Sequence, residues 1–111
     1  MALLKGTLDV LVLKALSWGP MHGFEITSWL EERSGGRLNV VDAALLQALH
    51  RMEERKLIAA EWGVTENRRR ARFYQLTANG KRQLAEEQAK WPQMVEAVAA
   101  LMGRKPEGEQ A

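Results

Sequence analysis

The feature that most limits the possible folds is a pair of alternating, β-like runs within a chain otherwise patterned for helices. The runs cover residues 57–64 and 72–77, and the joint between them, residues 65–71, contains Arg68, Arg69 and Arg70. Alternation on both sides of a short polar joint predicts a β-hairpin. The sequence therefore predicts a mainly α chain with a small β-hairpin, and the tip of that hairpin is basic.

Two helices are predicted before the hairpin region begins. The first covers residues 3–16 and is apolar on most sides, so it needs more than one partner surface: its own core and a second copy of the chain. The second begins at residues 21–23 and extends to about Arg33, where Ser34-Gly35-Gly36 stops it. Its expected inward side chains are Phe24, Ile26, Trp29 and Leu30.

A third helix is predicted over residues 43–56, with Asp42 as its N-cap. Four apolar residues recur at helical spacing and should face the core: Leu45, Ala48, Leu49 and Met52. The opposite side carries Ala43, Gln47, His50 and Glu54, flanked by Leu46 and Arg51. This third helix thus presents a separate outer face.

The last helix is predicted over residues 77–102, with Thr77 as its cap and a kink or break caused by Pro92. The spacing of one set of residues is typical of a coiled-coil-like seam; the set is Leu84, Gln88, Trp91, Val95, Val98 and Met102. We expect a domain over residues 1–78, a dimerisation helix over 79–103 and a flexible tail over 104–111.

Composition excludes several classes of protein. With 111 residues, 46% hydrophobic and 27% charged, the chain is expected to be one globular domain, or one domain plus an arm. It has no cysteine, no apolar stretch long enough for a bilayer and no secretion signal, so a cytoplasmic location is expected. His22 and His50 lie on separate helices, and no phosphate loop or nucleophile elbow occurs. No catalytic residue, metal or cofactor is expected.

Three helices, a hairpin with a basic tip and a long helix follow the order of a winged helix-turn-helix. In that arrangement the third helix, about residues 43–55, enters the major groove, and the wing, residues 65–72, contacts phosphates or the minor groove. The candidate contacts to double-stranded DNA are Gln47, His50, Arg51, Arg68, Arg69, Arg70 and Arg72. The alternatives are a solvated turn and an ordinary exposed helix face.

Six segments together resemble the PadR-type transcriptional regulators: residues 4–9 (LKGTLD), 19–24 (GPMHGF), 48–53 (ALHRME), 57–58 (LI), 61–63 (EWG) and 69–80 (RRARFYQLTANG). The single terminal helix resembles the short subfamily. The resemblance implies a homodimer built from the first and last helices, a DNA-reading third helix and a wing. It also implies repression of nearby genes, often relieved by small aromatic or drug-like ligands.

The start of the third helix departs from the family pattern. Ala44, Leu45, Leu46 and Gln47 stand where relatives have a small hydroxyl residue, Leu or Ile, Tyr and often Pro, and Ala43 replaces a Gly. A second hypothesis therefore stays open. The chain could be a ligand-binding or protein-interaction dimer whose DNA binding is weakened or lost.

Trp91 has two interpretations. It is either a core aromatic or, because a seam residue meets its own copy across a two-fold axis, one wall of a slot for a flat aromatic ligand. Multidrug-sensing relatives use a matching Trp in this way. Residues proposed to line the same dimer pore are Leu8, Val12, Ala15, Val95 and Val98, and Asp9 is either an acid for cationic ligands or a solvent-exposed residue. Trp18, Trp29 and Trp62 are expected to be core or structural aromatics.

Overall fold

A computed structural model of the chain describes residues 5–103. The predicted fold class, mainly helical with a small sheet and a long last helix, is confirmed. The flexible tail predicted for residues 104–111 lies outside the described residues. The elements are α1 (Lys5–Leu16), β1 (Met21–His22), α2 (Gly23–Arg33), α3 (Asp42–Glu54), β2 (Ile58–Val64), β3 (Arg70–Leu76) and α4 (Ala78–Met102).

The hairpin is part of a three-stranded antiparallel sheet with the order β1-β3-β2. β2 and β3 pair from Ile58 opposite Leu76 out to Val64 opposite Arg70. β3 thus begins two residues earlier than the alternation predicted. The two residues of β1, Met21 and His22, were predicted to open a helix instead. Their pairing with Tyr74 and Phe73 depends on tertiary contact, which periodicity does not report.

His22 ends β1 and caps α2. Its Nδ1 accepts a hydrogen bond from the Glu25 backbone N–H at 3.4 Å, and the His22 N–H donates to the Glu25 carboxylate at 3.1 Å. This reciprocal pair is a capping box. α2 therefore starts at a fixed position beside the sheet.

The core surrounds α1, which packs against α2, α3 and α4. Among the fully buried side chains, Val12 and Leu13 come from α1, Ile26 from α2, and Leu49 and Met52 from α3. α3 packs against α1, α2 and β2. Its buried residues, Leu45, Ala48, Leu49 and Met52, lie on one side, which leaves its outer face exposed.

α4 is anchored at its first turn and then leaves the body of the protein. The Thr77 hydroxyl oxygen accepts from the Gly80 N–H at 3.0 Å, as predicted for its cap, and the hydroxyl donates to the Lys56 carbonyl at 2.7 Å. Beyond Leu84 no residue of α4 is buried. The helix is continuous across Pro92, so the predicted possibility of a break is not realised. The described chain measures 61 × 28 × 21 Å.

Several local predictions are corrected. Asp42 lies in the first turn of α3, and Val41 is the N-cap. Phe24 is 76% exposed, because it lies two residues, or about 200° around the helix, from buried Ile26. Trp18 and Trp62 are also exposed, and each has an arginine guanidinium over its ring. Within residues 5–103, no helix is long and apolar enough to cross a bilayer.

Candidate nucleic-acid interface

One face of α3 is open to solvent along its whole length. Ala43, Gln47, His50 and Glu54 are exposed and recur at steps of four, three and four, which places them on one side of the helix, and exposed Leu46 flanks them. The structure therefore puts the predicted contacts Gln47 and His50 on an accessible surface. This face has two apolar side chains, two polar ones and one carboxylate, and no lysine or arginine.

Arg51 is directed away from that surface. Its Nη2 donates to Asp9 Oδ1 at 2.6 Å and its Nε to Asp9 Oδ2 at 3.4 Å, and the two side chains are 26% and 14% exposed. The bond joins α1 to the last turn of α3. Sequence reasoning assigned Arg51 to DNA and Asp9 to a cationic ligand, since nothing in the spacing shows that residues 42 positions apart meet. In this structure each neutralises the other.

The tip of the hairpin is a tight three-residue loop. The Thr65 N–H donates to the Arg69 carbonyl at 2.8 Å, and the Arg68 N–H donates to the Thr65 carbonyl at 2.9 Å. Arg68 has a φ of 60°, in the left-handed region that this loop type requires at its last position. Arg68 and Arg69 are exposed, and neither forms an ion pair with any side chain in residues 5–103. The tip therefore presents two available guanidinium groups.

The other two wing arginines belong to β3 and are partly engaged. Trp62 lies opposite Arg72, and the Arg70 guanidinium stacks 4.5 Å from the Trp62 ring centroid. Arg72 donates to the Glu53 carboxylate at 2.9 Å, which ties the wing to α3. Sequence reasoning missed Trp62 and Glu53 as wing partners. The alternation places Trp62 across from Arg72, so the hairpin register was the available signal for Trp62.

The Arg72–Glu53 pair also lies beside Tyr74. Burial raises the pKa of the Tyr74 phenol above 10.0, nearby Arg72 opposes that shift and Glu53 adds to it. The base of the wing is therefore a packed junction of β3 with α3, and only its outer part is open.

A cleft of about 990 Å³ lies between the wing and the starts of α2 and α3. Its apolar lining includes Phe24, Leu46 and Val64, and its basic lining includes Arg69 and Arg70. Acidic side chains also border it, namely Glu25, Asp42 and Glu66. The charge that favours a polyanion is thus concentrated at the wing side of the cleft.

The residues predicted to line a dimer pore separate into two groups. Trp91 is 36% exposed and Val95 and Val98 are each 51% exposed, so α4 presents them to solvent. The prediction is wrong for Val12 and Ala15, both 0% exposed, and for Leu8 at 6%. These three pack into the core of a single chain because α1 uses that side against its own α2, α3 and α4.

Trp91 and Asp9 do share a second, smaller groove. This groove has a volume of about 480 Å³ and lies between α1 and α4. Its other walls include Val10, Glu87 and Met94, none of which was in the predicted set.

The outer half of α4 carries a continuous apolar stripe. Its members are Trp91, Met94, Val95, Val98, Leu101 and Met102, which are 36–84% exposed. The predicted seam is thus shifted outward: Leu84 belongs to the chain's own core, and Met94 and Leu101 join the exposed stripe. Across the described part of the chain, no three His, Cys, Asp or Glu side chains cluster in a way that could hold a metal ion.

The helix pair α2 and α3, the exposed outer face of α3 and the basic antiparallel hairpin together define a winged helix-turn-helix protein. Residues 12–86 match the Transcriptional regulator PadR-like family. The chain belongs to that family, as its sequence motifs predicted, and it is a transcriptional regulator rather than an enzyme.

Solved structures have the same architecture over most of the chain, and one further protein is similar in sequence. A transcriptional regulator from Clostridium thermocellum is 21% identical with a TM-score of 0.77, covering 90% of this chain and 96% of that one. A PadR-like transcription factor from Bacteroides fragilis is 29% identical with a TM-score of 0.71, covering 87% and 91%.

Bacillus subtilis PadR, solved in complex with operator DNA, is 21% identical with a TM-score of 0.64. It covers 95% of this chain, which spans 52% of the length of that protein. Uncharacterized protein X of Lysinibacillus sphaericus is 24% identical over 100 residues, which make up 90% of this chain and 92% of that protein.

Proposed function

We propose that the chain is a homodimeric DNA-binding repressor whose α3 enters the major groove while the wing contacts the DNA backbone. The observation that carries this proposal is the pair of available arginines, Arg68 and Arg69, held at a rigid hairpin tip beside an open α3 face. Phosphate contacts from such side chains supply most non-specific affinity for DNA. The operator complex of the Bacillus subtilis relative supports this use of the fold. The proposed site of action is the cytoplasm.

The apolar stripe of α4 supports the homodimer. Six apolar side chains form a continuous surface on one face of α4, where the helix projects from the body. A continuous exposed apolar surface marks an interaction site, whereas single exposed apolar residues do not. A second copy of the same helix satisfies this surface by two-fold symmetry. Two copies of α3 are then presented to two half-sites of one duplex.

An effector is the third part of the proposal. The groove that contains Trp91, Met94 and Glu87 has an apolar wall, an aromatic ring and an acidic group, which suit a flat aromatic compound. Asp9 also borders this groove, but its carboxylate is paired with Arg51. Binding there would act on repression only to the extent that the compound prefers one arrangement of the two copies over another.

DNA binding is tested by titrating the purified protein with its own upstream region and with unrelated DNA at several salt concentrations. We expect tighter, salt-dependent binding to the upstream region. Arg69→Ala should weaken binding to both DNAs and reduce the salt slope by about 0.9 per subunit, or about 1.8 for the dimer. The matched control is Arg82→Ala, which removes an exposed arginine of α4 outside the wing. Equally weak binding to both DNAs, unchanged by Arg69→Ala, would favour the ligand- or protein-binding dimer.

The effector is tested by fluorescence polarisation of a flat aromatic dye. Trp91→Ala should weaken dye binding, and Trp18→Ala, which removes an exposed tryptophan from the turn after α1, should not. Unchanged dye binding by Trp91→Ala would exclude Trp91 from the site. Analytical ultracentrifugation tests the dimer, which Val98→Glu in the apolar stripe should dissociate.

A further inference from the structure

The chemistry of the exposed face of α3 indicates which bases it can read, and this inference rests on the proposed DNA-binding function. In helix-turn-helix proteins the N-terminal residues of the recognition helix contact base edges. In α3 the exposed residues nearest that end are Asp42, Ala43, Leu46 and Gln47. Apart from the Asp42 carboxylate, which borders the cleft, the base-reading surface is therefore two apolar side chains and one amide.

Guanine has no cationic reader on this surface. The commonest specific contact to guanine is an arginine or lysine that donates two hydrogen bonds to O6 and N7. The only arginine or lysine in α3 is Arg51. Its guanidinium is bound to the Asp9 carboxylate at 2.6 Å, on the side of the helix that faces α1. The ion pair thus removes the one arginine of α3 that could bind guanine.

The remaining groups match adenine and thymine. A glutamine amide can donate to adenine N7 while it accepts from adenine N6, and apolar side chains contact the C5-methyl group of thymine. Leu46 is 49% exposed in the free protein, so its methyl groups are available. Leu46 and Gln47 are adjacent on one face and can reach neighbouring base pairs.

We propose that α3 reads an A·T-containing step in each half-site, with Gln47 bound to adenine and Leu46 packed on the methyl group of a neighbouring thymine. Two nearby groups define the competing outcomes. Asp42 can accept from cytosine N4, but it borders the cleft rather than the centre of the face. His50 lies one turn farther from the N-terminus and contributes beyond this step.

The experiment begins with selection of bound duplexes from a randomised library by the full-length protein. We expect enriched half-sites to contain an A·T step at the symmetry-related positions. The enriched duplex is then resynthesised with deoxyuridine in place of thymidine, which removes only the methyl group, or with 7-deaza-adenine, which removes only N7. Each change should weaken wild-type binding. The 7-deaza change should cost less per half-site than the roughly 5- to 150-fold range for a whole bidentate contact, because the hydrogen bond from adenine N6 remains.

Protein variants assign each loss to its side chain. Leu46→Ala should bind thymidine and deoxyuridine duplexes alike, and Gln47→Ala should bind adenine and 7-deaza-adenine duplexes alike. The control Glu54→Ala, at the far end of the same helix, should keep both discriminations. Circular dichroism melting of each variant confirms that it is folded.

Different failures have different meanings. If the library yields no enriched sequence and the upstream region is not preferred, the proposed DNA-binding function is wrong. If G·C half-sites are enriched and Asp42→Ala abolishes the preference, the protein binds DNA but this assignment is overturned. The same holds if deoxyuridine and 7-deaza-adenine leave wild-type affinity unchanged at enriched A·T steps.

Discussion

Replacing Arg51 by methionine tests whether the arginine of α3 holds the helix in place or contacts DNA. The variant keeps an unbranched side chain of similar reach and removes the guanidinium. The structure predicts that this change acts on the free energy of unfolding, because Arg51 binds Asp9 across the α1–α3 contact. DNA affinity should fall only through the altered position of α3.

The size of the effect follows from the geometry of the ion pair. One bond is short, at 2.6 Å, and the other is long, at 3.4 Å, so the pair counts as about one strong charge-assisted hydrogen bond. Such a bond contributes about 1.5–3 kcal/mol, more than a fully exposed pair. With Asp9 only 14% exposed, loss of its partner leaves a carboxylate that water reaches poorly. We expect Arg51→Met to cost about 2–3 kcal/mol of unfolding free energy.

The assay has two parts. Urea unfolding of wild type, Arg51→Met, Asp9→Asn and the double variant is measured at one protein concentration, since the stability of a dimer depends on concentration. The two single costs should exceed the cost of the double variant by about 1–2 kcal/mol. DNA titrations across salt should show an unchanged slope for Arg51→Met, whereas Arg69→Ala should lower the slope by about 1.8 for the dimer. A lowered slope together with unchanged unfolding would refute the positioning role.

Three further changes test other parts of the structure. Lys56→Gly should raise the unfolding free energy by about 1 kcal/mol in urea titrations, because Lys56 has a φ of 60° after α3; no gain would contradict the strained conformation. Gly80→Ala should lower the thermal unfolding midpoint, because its Cβ would collide with the Leu57 carbonyl. The expected loss of unfolding free energy is about 1–3 kcal/mol, and a wild-type midpoint would argue against that close approach. Because the folded pKa of Tyr74 lies above 10.0, stability should hold below pH 10 and fall as pH rises through the folded pKa. Tyr74→Phe should make this alkaline fall shallower in unfolding measured from pH 8 to 12, and an identical profile would exclude Tyr74 as its source.

The sequence predicted the helices and the hairpin because their signals are local. The Thr77 cap depends on hydrogen bonds within a few residues, and the core face of α3 follows from helical spacing alone. The strand β1 has only two residues and exists through pairing with β3, which lies about fifty positions later in the chain. Hydrophobic periodicity therefore could not predict β1.

The candidate site was predictable in its location but not in its internal pairing. The charge at residues 68–72 and the outer face of α3 are sequence properties. The engagement of Arg51 by Asp9 and of Arg72 by Glu53 requires the tertiary arrangement. The same limit explains the error for Val12 and Ala15. When a helix is apolar on most sides, its sequence does not indicate which side packs against its own chain. In α1 that side includes both Val12 and Ala15.

The junction at Thr77 couples the orientation of the wing to that of α4. β3 ends at Leu76 and α4 begins at Ala78, so one residue connects them. The Thr77 hydroxyl donates to the Lys56 carbonyl and accepts from the Gly80 N–H, which fixes the position of that residue. A helix of 25 residues is about 37 Å long. A change of about 5° in the crossing angle of two such helices would displace the opposite end by about 3 Å. In the proposed dimer, a small adjustment near Trp91 would thereby be amplified into a larger shift of the wing.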